Sequence, residues 1–160
     1  MIYTICKNDH YSSLMPKIHF GITSITGKIK FNKDCDYTLT DPTCIDDINK
    51  AYGFSYGNHN KWSIRLGWTV KENKLKLFNY IYANSIRRSR RIGTTTTFFE
   101  FDTWYNFEIK YDTTNKLAII KIDDHVGSLP FNIPATIGYY LKPYFGGNCG
   151  APQDMTIEII

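Results

Sequence analysis

Glu100 and Asp102 stand two residues apart, and on a strand that spacing puts both carboxylates on one face, roughly 6.5–7 Å from each other. Such a separation suits an acid and base pair acting across a glycosidic bond. No third carboxylate accompanies them, so a solvated strand edge is the expected reading and no catalytic residue is assigned. His59, Arg65 and Tyr80 are the types a lyase uses, a base beside a cation that neutralises an acidic sugar. They lie far apart along the chain, and nothing in the sequence brings them together. Asp123, Asp124 and His125 could offer oxygens to a cation, but adjacent aspartates in a tight turn point apart and are expected to serve the turn. Gly146-Gly-Asn-Cys-Gly150 could hold an anion on backbone amides. It lacks the Lys-Ser/Thr of a nucleotide loop, so a sharp bend between two strands is expected. The Cys and His spacings fit no zinc template, and neither a metal nor a cofactor is expected.

Two further groups could make a binding surface. Arg87, Arg88, Arg90 and Arg91 fall within one five-residue stretch, and together they equal the whole net charge of +4. The basicity is therefore a local patch. On a strand only half of the four can share a face, so the patch is read either as an edge guarded by charge or as an interface with a partner. Aromatic residues make up 16% of the chain and Tyr dominates them, giving flat amphipathic area for stacking on sugars or for protein contacts. The glycan-binding candidates are Trp62, Arg65, Trp68, Phe78, Tyr80 and Tyr82.

These side chains need a scaffold, and the sequence offers strands almost everywhere. β-Branched and aromatic runs cover residues 17–23, 28–31, 51–56, 63–70, 74–83, 88–92, 104–111, 117–122, 137–145 and 155–160, separated by Gly, Asn, Asp and Pro. Ten short strands without intervening helical periodicity predict an antiparallel β-sandwich. Hairpin turns are predicted at Lys71–Lys74 and Asp112–Lys116, where Asn and Asp tolerate the left-handed region. A further reversal at Asp123–Asp124 leads the chain toward Ser128–Phe131. Alternation assigns faces: Tyr105, Phe107, Ile109 and Tyr111 point one way and Asn106, Glu108 and Lys110 the other. Trp62, Ile64, Leu66 and Trp68 form a second apolar row. In residues 76–82, Leu77 and Ile81 face the core, leaving Phe78, Tyr80 and Tyr82 opposite.

At 160 residues, 42% apolar and 21% charged, the chain reads as one globular domain and not as a disordered or fibrous segment. No apolar run approaches the roughly 20 residues of a membrane helix. The first ten residues lack the apolar core of a secretory signal, so synthesis and retention in cytoplasm are expected, with Cys6, Cys35, Cys44 and Cys149 as thiols. Cys35 and Cys44, which flank a short polar loop, are the only pair to suspect of a disulfide. The weight of Ile, Asn, Lys and Tyr matches A/T-rich codons, which bears on the source genome and not on mechanism.

Residues 104–124, a Trp opening a strand, a short turn and a strand ending in Asp, resemble the signature hairpin of concanavalin A-like (laminin-G-like) jelly rolls. Gly53-Phe-Ser-Tyr-Gly57, Ser63-Ile-Arg-Leu-Gly-Trp68 and Tyr144-Phe-Gly-Gly-Asn-Cys-Gly-Ala-Pro-Gln-Asp-Met-Thr-Ile157 together resemble such domains in bacteriophage structural proteins and in Bacteroidetes-type surface proteins. The likeness covers about residues 51–160, the jelly-roll core, while residues 1–50 add N-terminal strands or an arm of open placement. It implies a concanavalin-like jelly roll. The Glu-x-Asp-x-x-Glu triplet of the glucanase branch is absent, as are the Arg-rich and Gln-x-His motifs of the alginate-lyase branch, so no enzymatic role is carried over. The function implied is a non-enzymatic virion protein, capsid-associated, a decoration or fibre-associated. It would be made in the bacterial host cytoplasm and packed in many copies against other virion proteins through Arg87, Arg88, Arg90 and Arg91. A surface glycan is a further expected ligand, nucleic acid and membrane are not. The alternatives are a lectin-like carbohydrate-binding module and a glycan-cleaving hydrolase or lyase.

Overall fold

Alternation of apolar and polar side chains resolves into twelve strands in the computed structural model, which describes residues 1–12, 17–133 and 136–160. They are β1 (Ile2–Ile5), β2 (Lys17–Phe20), β3 (Ser24–Phe31), β4 (Asn49–Ser55), β5 (Trp62–Lys71), β6 (Lys74–Ala83), β7 (Ile86–Arg91), β8 (Tyr105–Asp112), β9 (Leu117–Ile122), β10 (His125–Pro130), β11 (Ile137–Leu141) and β12 (Met155–Ile159). One 3₁₀ turn, Lys33–Cys35, is the only helical element among the described residues. The back sheet has the order β1-β12-β3-β8-β9-β10 and the front sheet β2-β11-β4-β5-β6-β7, all pairings antiparallel.

The ten expected strands are present with adjusted ends, and two more join them. β1 is too short to read locally and exists by pairing with β12 at the far end of the chain. β10 is the return after the Asp123 turn. The run expected over 137–145 stops at Leu141, before Pro143, which has no amide to give to a ladder. Residues 1–50 are not an appendage: they supply β1 and β3 to the back sheet and β2 to the front.

Turn chemistry fixes the register of the hairpins. Glu72 and Asn73 both take positive φ, 55° and 57°, joining Lys71 to its partner Lys74 in the manner of a two-residue hairpin whose twist matches its strands. Asn84 and Ser85 do the same between β6 and β7. The Asp112 carboxylate accepts from the amides of Thr114 and Asn115, both at 3.0 Å.

The inward faces follow the alternation. Phe107, Ile109, Tyr111, Ala118, Ile120 and Ile122 from the back sheet meet Ile64, Leu66, Trp68, Leu77 and Ile81 from the front, all buried. Trp68, fully buried, packs against Phe31 and Tyr37, each with ring centroids 5.5 Å away. Asn79 crosses the core, its Nδ2 donating to the carbonyls of Ala118 (2.8 Å) and Gly127 (3.0 Å), and so ties β6 to the opposite sheet.

Two of the four cysteines depart from expectation. Cys44 and Cys149, 105 residues apart, form a disulfide, while Cys6 is an exposed thiol and Cys35 a buried one. Neither the expectation of four thiols nor the suspected Cys35–Cys44 pair holds, because partnership is set by which loops meet and not by sequence distance. Burial, with the charge of Asp34 second, pushes the Cys35 thiol far above its usual range.

Candidate functional site

The outward face of the front sheet carries a groove of about 740 Å³, within the range of ligand pockets. Strand register builds its floor. Arg65 on β5 lies across from Tyr80 on β6, and Tyr82 on β6 across from Arg87 on β7, so the four share one face of three neighbouring strands. The Tyr80 and Tyr82 rings meet edge to face, 5.9 Å between centroids. Gly67, next on the outward face of β5, lets Ile48 pack close to the strand: a Cβ there would lie 2.6 Å from Ile48 Cγ2 and 3.2 Å from the Tyr80 Cβ.

Lys50 enters through an irregularity. The β4–β5 register shifts between Lys50 and Tyr52, so Ala51 turns into the core while Lys50 lines the groove. A bulge of this kind re-aims a side chain. Lys50 and Tyr144 exchange two backbone hydrogen bonds of 2.8 Å, bringing the Tyr144 ring to the same wall. The Lys50 ammonium donates to the Gly146 carbonyl at 2.8 Å and lies over the rings of Tyr80 (5.1 Å) and Tyr144 (5.2 Å). Burial, then the charge of Arg65, pushes its pKa down to about 8.

The 146–149 bend closes one end. Gly146 takes a φ of +68°, a conformation natural to glycine, and its amide donates to Asn49 Oδ1. The amides of Gly147 and Asn148 donate to Asp47 Oδ2 at 3.1 and 3.3 Å, and the Cys44–Cys149 bridge fastens the bend to the 41–47 loop. Opposite, His59 Nδ1 and the Tyr139 hydroxyl share a hydrogen bond. Burial, reinforced by Arg65, lowers the His59 pKa and favours the neutral ring. Burial also raises the hydroxyls of Tyr80 and Tyr144 above their ordinary value.

Of the sequence candidates, Arg65, Tyr80 and Tyr82 meet in the groove. Trp68 cannot touch a ligand there: it is 0% exposed, between the sheets. Trp62 is half-buried and packs edge-on against Phe131 at 6.3 Å, also on the core side. Phe78 shares the outward face of β6 but does not line the groove. The arginine cluster divides. Arg87 belongs to the groove, Arg88 and Arg90 are exposed on the alternate positions of β7, and Arg91 bonds the Thr97 carbonyl and sits over Phe98 at 4.9 Å. Glu100 precedes a turn and Asp102 stands in it, at φ +57° and accepting the Lys33 amide, so the strand that was to put both carboxylates on one face does not form. Asp123 serves its turn by accepting the Asn106 amide at 2.9 Å. Asp41, Cys44 and Cys149 are the one cluster of metal-type ligands among the described residues, and there the two sulfurs are bonded to each other.

Sequence reasoning missed Lys50, His59 as a neighbour of Tyr139, and Tyr144. Lys50 is hidden by the bulge, which breaks the two-residue period. Tyr139 and Tyr144 stand in a run long enough to read only as strand.

No family model and no curated protein matches the chain. Among solved structures it is similar to an alginate lyase from Pseudomonas aeruginosa, with a TM-score of 0.57 and 6% identity over 86% of this chain and 64% of that one. It is also similar to a SAP-like pentraxin from Limulus polyphemus (TM-score 0.49, 12% identity, 99% and 75% covered) and to the carbohydrate-binding module CBM66 from Bacillus subtilis (0.43, 12%, 87% and 77%). At these identities the likeness is one of architecture. The chain is an all-β, antiparallel jelly-roll sandwich of the concanavalin-like class. It spans less than two thirds of the length of the lyase.

Proposed function

We propose that the protein binds a saccharide in the front-sheet groove. The observation that carries this reading is the convergence of Tyr80, Tyr82, Tyr139 and Tyr144 with Arg65 and Lys50 around one 740 Å³ cleft. Aromatic faces and charged hydrogen-bond donors set side by side suit a ring with an apolar face and a polar rim. Resemblance in fold to an alginate lyase supports a glycan-related role. The virion role expected from the sequence draws no support from the comparisons, and the Cys44–Cys149 bridge favours an oxidising compartment over the cytoplasm. Glycan-array screening followed by titration calorimetry tests the reading. Tyr82→Ala should leave the melting temperature close to wild type and weaken the bound glycan about tenfold, the loss of more than 1 kcal/mol that a central aromatic contact carries. Unchanged affinity in that variant removes the groove from the reading.

One observation favours a second reading, glycan cleavage by elimination: the hydrogen-bonded His59–Tyr139 pair stands in the same groove as Arg65, a proton-transfer pair near a charge that could stabilise an enolate. The same titrations decide it, by whether an unsaturated product accumulates and disappears with Tyr139→Phe.

A further inference from the structure

The two outward faces of the sandwich treat charge differently. On the back sheet, Lys30 pairs with Glu158 at 2.8 Å and Lys121 with Glu108 at 3.5 Å. In the groove, none of the ion pairs among the described residues involves Lys50, Arg65 or Arg87. The single acid of the groove wall, Asp47, is already the acceptor for the amides of Gly147 and Asn148.

Lys50 and Arg65 are nevertheless deeply placed, 9% and 8% exposed. Both flank one ring, with Lys50 Nζ 5.2 Å and Arg65 Cζ 6.0 Å from the centre of Tyr144. Arg65 spends one donor on the Lys142 carbonyl at 3.1 Å, and its buried Nε has no hydrogen-bond partner. Two like charges held together out of water destabilise a fold, because desolvation and mutual repulsion act in the same direction, and the attraction of Asp47 for Lys50 offsets this only in part. An anion seated against both adds two attractions that outweigh the repulsion and offers acceptors to the unused donors.

We infer that the groove is a seat for an acid group, a carboxylate or a sulfate carried by the saccharide, held between Lys50 and Arg65. This rests on the saccharide reading above and narrows it to acidic glycans. Arg87, across from Tyr82 on the edge strand, adds a third cation along the same face, as a chain with repeated acid groups requires. Its exposure makes its contribution the most sensitive to salt.

Titration calorimetry with oligogalacturonate, a sulfated glycosaminoglycan oligomer and a neutral xylo-oligomer of matched length tests the seat, each at low and raised NaCl. At least one acidic oligomer should bind tenfold or more tighter than the neutral one, with affinity falling as salt is raised; which acid prevails distinguishes carboxylate from sulfate. Lys50→Met should lose at least tenfold of that affinity and Lys50→Arg should retain most of it. Because Arg65→Met removes a buried group and can cost folding, the exposed Arg87→Met is read beside it, with a smaller loss expected. Equal binding of the neutral oligomer, unaffected by Lys50→Met, overturns the acid seat and leaves the saccharide reading standing. Sulfate ion that raises the melting temperature of wild type but not of Lys50→Met, with no oligosaccharide bound, keeps the anion seat and overturns the saccharide reading beneath it. Tighter binding of a single-stranded oligonucleotide than of any oligosaccharide overturns the glycan assignment, and no binding by any of these anions overturns both.

Discussion

Lys50 shows how a single side chain ties the site to stability. Its folded-state pKa of about 8 lies below the ordinary 10.5, so between those values the unfolded chain binds the proton that the folded one has released. The destabilisation caused by burying this ammonium is therefore full below about 8 and is relieved as pH climbs from about 8 toward 10.5. Arg65, Arg87 and Asp47 act on the same ammonium, and buried Tyr80 and half-buried Tyr144, with raised values, pull the opposite way at higher pH. Comparing urea midpoints of wild type and Lys50→Met across this window cancels those common groups. The difference should shift in favour of wild type as pH rises, and a flat difference would mean that Lys50 keeps an ordinary pKa. Trp68 belongs to the other side of the same sheet. Trp68→Phe should cost about 1–3 kcal/mol of stability and leave glycan affinity unchanged, since the indole is 0% exposed and faces Phe31 and Tyr37. A fall in affinity with little loss of stability would place it in the site after all.

At the scale of elements, the groove wall depends on two loops that have no pairing of their own. The 41–47 and 146–150 segments are joined by Cys44–Cys149 and by the Asp47 and Asn49 side chains that accept amides of the bend. The bridge closes a stretch of 105 residues, which makes it effective in restricting the unfolded chain. Thiol titration of the denatured, unreduced protein should find the two free thiols, Cys6 and Cys35, and no others. Cys44→Ser with Cys149→Ser should lower stability by about 2–5 kcal/mol and loosen ligand binding through the bend. Four titrating thiols would remove the bridge. Two hairpins, by contrast, were legible locally: Asn73 and Asp112 sit where the turns need left-handed backbone or a side-chain acceptor, whereas the turn at Asn84 and Ser85 was not predicted.

Across the whole molecule, charge is sorted in a way that the net value conceals. The excess of +4 equals the Arg87–Arg91 cluster in the sequence, yet only Arg87 of that cluster reaches the groove. The cations that matter most, Lys50 and Arg65, are balanced in the total by acids that lie elsewhere, such as Glu108 and Glu158 on the back sheet.

Alternation was enough to define an all-β sandwich and to sort Phe107, Ile109, Leu77 and Ile81 onto the core face, because the two-residue period is a property of each strand alone. The same period put Arg65, Tyr80 and Tyr82 on faces opposite the core. It could not tell that these faces adjoin, since that depends on the pairing of β5 with β6, nor find Lys50, since a bulge resets the period just before Tyr52. The Cys44–Cys149 bond, the β1–β12 pairing and the meeting of His59 with Tyr139 join residues from 80 positions apart (His59 and Tyr139) to nearly the whole chain (Ile2 and Glu158). Such contacts are decided by the packing of two sheets, and no local pattern records them.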